Sequence, residues 1–162
     1  MIATLRKYAL LVVAGATLAA CQPSDEVLTH RGDGLPPVAL SRALTMFETV
    51  CGGSLPDFAS ARTQMASVGV TRATAGDVIY SQSEDVSFRI FRDPRIGPTC
   101  SMIASVPVSE AAMRRGLMAR YGTLAPSQFG DVGKHRGKTV LLLDPNQRNG
   151  RTYFNIRLLS ER

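Results

Sequence analysis

A change of hydrophobic period near residue 70 constrains this chain more than any other feature. Before it, apolar side chains recur at helical spacing: Leu40, Ala43, Leu44, Phe47 and Val50 form one stripe, and Gly52-Gly53 ends it. Ser54, with Asp57 three residues on and Pro56 in the first turn, opens a second helix. Its buried face is Phe58, Ala61, Met65 and Val68, and its cap is Gly69. After Gly69 the period falls to two. Strands are predicted over 78–81, over 86–92, where Val86, Phe88 and Ile90 alternate with Ser87, Arg89 and Phe91, and over 100–106. Asp93-Pro94-Arg95-Ile96-Gly97-Pro98 joins the last two as a hairpin. Helical spacing returns over 109–121, with Ser109 as N-cap, Ala112, Met113, Leu117 and Met118 apolar, and Gly122 as the stop.

Residues 123–137 read as a loop rich in Gly, Ser and Pro. Two strands follow, 139–143 and 152–159, joined by a turn over 144–150. The run Val140-Leu141-Leu142-Leu143 is apolar on both faces and is expected at the centre of the sheet. The fold class is therefore α+β: a largely antiparallel sheet of about five strands with about three helices, order ααβββαββ, the helices packed on one face.

The N-terminus gives an address. Arg6 and Lys7 form a positive n-region, and Tyr8 to Thr17 form an uncharged, mostly apolar run, too short to span a bilayer, which needs roughly 20 apolar residues. Leu18-Ala19-Ala20-Cys21 follows, and with this lipobox the chain resembles bacterial lipoproteins. The resemblance covers residues 1–21. It implies a signal peptide over 1–20, lipidation of Cys21 as a palmitate-type anchor, and export to the periplasmic side of a membrane. Gln22, rather than an aspartate, follows the cysteine, which favours the outer membrane over the inner. Residues 21–38, with Arg31-Gly32-Asp33-Gly34 and Leu35-Pro36-Pro37, read as a flexible tether, and 39–162 as one α+β domain. Acylating Cys21 leaves an even pair, Cys51 and Cys100. In an oxidising compartment that pair is expected as a disulfide joining the helical corner to the hairpin, worth about 4 kcal/mol in the chain-entropy model.

Once Arg6 and Lys7 leave with the signal, 17 basic side chains face 13 acidic ones. The arginines are spread from end to end, a solvated surface rather than the clustered footprint of a nucleic-acid binder. Two basic groups stand out for an anion or a protein partner: Arg114 and Arg115 on the helix 109–121, and the turn Lys134, His135, Arg136 and Lys138. The stretch Gly133-Lys134-His135-Arg136-Gly137-Lys138-Thr139 imitates a phosphate loop, but it has three residues between its glycines where four are required, and a strand rather than a helix follows. No nucleotide or nucleic-acid partner is expected. Asp144, Asn146 and Asn149 miss the calcium-loop register, and His30 and His135 are too few for zinc, so neither metal nor cofactor is expected.

No nucleophile elbow occurs, and the acids stand outside apolar runs. The sequence thus reads as a non-catalytic binding or accessory lipoprotein, held in the membrane by Cys21 and meeting an envelope protein or anionic polymer. The alternative is a small envelope hydrolase with His135 as its base, the domain's one histidine.

Overall fold

The computed structural model describes residues 34–73, 77–94, 96–128, 130–135, 137–143 and 145–160. The lipobox, Cys21, the tether up to Asp33, Arg136 and Asp144 lie outside the described residues, as does the side chain of His135.

Helix α1 (Leu40–Val50) buries Ala43, Leu44, Met46, Phe47 and Val50. Where a helix was expected from Ser54, the chain instead makes a 3-10 turn (Gly52–Ser54), and α2 spans only Ala61–Ser67. Phe58 accounts for the difference. Its φ of 61° is left-handed and cannot continue a helix, yet its side chain is buried in the core; the Leu55–Pro56 peptide bond is cis. Ser54 Oγ donates to the Val50 carbonyl, closing the corner. Helix α3 (Glu110–Tyr121) forms as the sequence predicts: Ser109 Oγ accepts from the amide of Ala112 at 3.3 Å, and the amide of Gly122 donates to the Met118 carbonyl.

The sheet corrects the expected strand count. It has nine strands rather than about five: β1 (Val70–Ala73), β2 (Val78–Ser81), β3 (Val86–Asp93), β4 (Gly97–Ser105), β5 (Leu124–Ser127), β6 (Gly130–His135), β7 (Lys138–Leu142), β8 (Asn146–Arg148) and β9 (Arg151–Leu159). Every ladder between these strands is antiparallel, and the spatial order is β1-β2-β3-β4-β9-β7-β6-β5, with β8 also on β9. The element order ααβββαββ is corrected with it: four strands precede α3 and five follow. The expected loop 123–137 holds β5 and β6, which lack an apolar alternation: among their described residues only Leu124 and Gly133 are buried. At Gly133 a Cβ would stand 2.5 Å from Leu124 Cδ2, so the glycine permits the two strands to close.

The turn 144–150 is corrected too. β7 and β8 run along the same side of β9, with one extra residue between Leu142↔Ile156 and Asn146↔Tyr153, so they behave as one bulged strand. The reversal is the two-residue turn Asn149-Gly150, both at positive φ, as a hairpin of this hand needs. The strand holding 140–142 is interior, as its apolar run predicts, though not at the middle of the sheet. β7 lies between β9 and β6, and β4 and β9 form the middle.

The helices all pack on one face. The core joins their apolar stripes to Phe88, Cys100, Met102, Ala104, Val140, Leu142, Phe154, Ile156 and Leu158, which share that face of the sheet. Cys51 at the end of α1 and Cys100 in β4 are both fully buried and disulfide-bonded, Cα atoms 5.6 Å apart. Buried apolar residues of the opposite strand parity, Val78, Ile103, Tyr153 and Leu159, stand outside this core, on a second face over which no helix lies among the described residues.

Candidate binding site

The basic residues singled out by sequence are not gathered into one site. Arg114 faces the sheet: its Nε is 3.2 Å from Asp131 Oδ2, and its Nη2 donates to the Leu124 carbonyl, clamping α3 onto β5 and β6. Arg120 clamps the same helix to α1 through Glu48 at 2.8 Å and Thr45 at 3.1 Å. Arg115 is exposed. The basic turn is divided by the strand period of two. Lys134 pairs in register with Thr139, so Lys138, the residue before Thr139 in its strand, takes the opposite face from Lys134. Lys134 Nζ donates to Thr139 Oγ1 at 2.7 Å.

Ser127 and Asp131, the serine and the acid nearest His135 in sequence, have other bonds. Ser127 Oγ donates to the Gly130 carbonyl at 2.8 Å, and Asp131 holds Arg114. A cleft of about 270 Å³ opens beside them, between the first turn of α3 and the β5–β6 hairpin, with Glu110, Arg114, Ser127 and Asp131 on its walls. Among the described residues no group of three or more His, Cys, Asp or Glu side chains is placed to hold a metal ion.

The helix-free face is built differently. Its residues follow from register, which sets the row Val78–Arg89–Ser101–Arg157–Leu141 across β2, β3, β4, β9 and β7. The next row is Phe91–Thr99–Leu159–Thr139–Lys134. Arg89 and Arg157 thus flank Ser101 two strands apart, about 10 Å at the usual spacing. Both turn toward the same ring, their guanidinium carbons 5.2 and 5.8 Å from the Phe91 centroid. Ser101 Oγ donates to Asn155 Oδ1 at 3.0 Å. Arg89 makes no ion pair with any described residue, and its buried Nε has no hydrogen-bond partner. The cavity at its base, between Val78, Ser87, Ser101 and Ile103, holds about 10 Å³, room for one water-sized group. Any larger ligand must meet the guanidinium ends from outside.

At the other end of this face the charge is already compensated. Asp85 is fully buried and accepts from Arg151 Nη1 at 3.0 Å and from the Tyr153 hydroxyl at 2.9 Å. Arg151 also donates to the Leu35 carbonyl, the Asp85 amide donates to Pro36 O at 2.8 Å, and the Val38 amide donates to Ser105 O at 2.8 Å. This clasp marks where the chain enters the domain.

Arg89 and Arg157 were missed as site residues by reading motifs. The signal was present in the alternation of 86–92 and 152–159, each of which places an arginine inside a strand where an uncharged residue would ordinarily stand. The structure therefore defines an α+β protein with helices on one face of its sheet and, on the other, Arg89 and Arg157 beside Phe91. No protein-family model, curated protein or solved structure matches the chain.

Proposed function

We propose that this chain is an exported lipoprotein, anchored in the membrane through acylated Cys21, that acts by binding within the bacterial envelope rather than by catalysis. The observation that carries the reading is the Cys51–Cys100 disulfide. A buried structural disulfide belongs to an oxidising compartment, and it leaves Cys21 as the odd cysteine, placed where a lipobox puts it. The remaining features agree with a binding role. Arg114, Arg120 and Arg151 hold elements together, and Arg115 on α3 is exposed to solvent.

Intact mass spectrometry of protein extracted from membranes tests the reading. The expected mass is that of residues 21–162 plus acyl groups, rising by about two protons on reduction. An unacylated mass or two free thiols would defeat it.

A further inference from the structure

We infer that Met118 is a site of reversible oxidation: a two-electron oxidant of the peroxide class converts its thioether to the sulfoxide while the other methionines of the domain stay reduced. The inference rests on the fold alone and goes beyond the lipoprotein reading, whatever the state of Cys21.

A methionine is oxidised at its sulfur, so the rate at each position follows the access of the oxidant to that atom. Six methionines occur in the sequence, and all but Met1 lie in the domain. Four of these are core residues: Met46 and Met65 are 1% exposed, Met102 and Met113 0%. Met118 is 37% exposed, on the side of α3 opposite the buried Met113, Leu117 and Tyr121. Cys51 and Cys100 are already joined and offer no thiol to compete for the oxidant.

In the step itself the sulfur lone pair attacks one oxygen of hydrogen peroxide. The O–O bond breaks and an S–O bond forms, while the departing hydroxide takes the proton from the transferred oxygen and leaves as water. Sulfur loses two electrons and the peroxide gains them. The product is polar and accepts hydrogen bonds. In the core it would be a buried acceptor among apolar side chains, which is unfavourable, whereas on α3 it faces water. Arg115, three residues earlier on the helix, is exposed and makes no ion pair or hydrogen bond with any described residue. Residues three apart on a helix are neighbours, so its guanidinium is placed to donate to the sulfoxide oxygen. The fold thus sets its accessible thioether where oxidation disturbs no packing, and a methionine sulfoxide reductase with a dithiol as electron donor restores it.

The test uses the protein as the cell produces it, purified in neutral detergent, treated with hydrogen peroxide, quenched at intervals and digested with trypsin. Cleavage after Arg115 and Arg120 releases Met118 in a fragment of its own, Gly116–Arg120. That fragment should gain one oxygen, about 16 Da, at a rate at least about tenfold above those of Met46, Met65, Met102 and Met113. In guanidinium chloride all five should react at rates within about twofold of one another, which makes the difference a property of the fold. Protein oxidised at Met118 alone should melt within a degree or two of the reduced form. The two methionine sulfoxide reductases, one for each sulfoxide epimer, supplied with dithiothreitol, should return the fragment to its original mass. Met118→Leu should abolish the fast reaction and leave the slow ones as they are. A Met118 no faster than the core methionines, a fast reaction that persists in Met118→Leu, a melt lowered by oxidation at Met118 alone, or failure of the reductases to restore it would each overturn the inference. A wrong intact mass for residues 21–162 removes the lipoprotein reading and leaves this one standing.

Discussion

Asp85 is the residue on which the chain's entry into the domain depends. A fully buried carboxylate is tolerated only when its charge and lone pairs are met, here by Arg151, Tyr153 and the surrounding backbone. Asp85→Ala should cost about 3 kcal/mol or more in urea unfolding, because it removes the buried anion to which Arg151 and the Tyr153 hydroxyl donate, whereas Tyr153→Phe should cost about 1 kcal/mol. Tyr121 gives a second test, through pH. Burial, reinforced by the charge of Glu48 and opposed by Arg120, pushes its phenol well above the ordinary tyrosine value. Its ring meets Phe47 edge-on at 5.8 Å. In the unfolded chain the same phenol ionises near pH 10, so above that pH the unfolded state sheds a proton that the folded state keeps. Its contribution to stability is intact at neutral pH and is lost as pH rises from about 10. Denaturant midpoints should fall over that range, less so in Tyr121→Phe.

At the scale of elements, α3 shows how a polar face is shared between packing and solvent. Arg114 and Arg115 are adjacent in sequence, yet the first is inserted between the helix and β6 and the second is exposed. Arg114→Glu would set two carboxylates against each other beside Asp131 and should lower stability by about 2 kcal/mol. Arg115→Glu should leave the melting temperature within a degree or two, so a double charge reversal could not distinguish a lost partner from a loosened helix. The disulfide joins α1 to β4 across 49 residues of chain. Replacing Cys51 and Cys100 by alanine should cost about 4 kcal/mol in the chain-entropy account, read as a lower urea midpoint. Helix α1, the capped helix α3 and the β3–β4 hairpin could be read from the sequence, through an apolar stripe, the Ser109 cap and strand alternation in turn, whereas α2 begins later than its pattern suggests. Strands β1, β5, β6 and β8 could not, because none carries a run of buried apolar residues at alternate positions, and their pairing with a neighbour rather than their composition makes them strands.

For the whole molecule, the two faces of one sheet differ. The helix side is consumed by the core and the disulfide, and the other side carries Arg89 and Arg157 beside Phe91 together with buried Val78, Ile103, Tyr153 and Leu159. Among the described residues no helix is long and apolar enough to cross a membrane. By itself the sequence determined the α+β class, the capped helix 109–121, the alternating strands 86–92 and 100–106 and the partnership of Cys51 with Cys100, because each follows from local periodicity, a cap or the parity of thiols. Only the tertiary structure decided the nine-stranded order, the division of the Lys134–Lys138 turn between faces, the commitment of Arg114 to Asp131 and the convergence of Arg89 and Arg157 on Phe91. Those depend on which strands lie side by side and in what register. Register across a sheet is set by contacts between residues far apart in the chain, to which no local pattern has access.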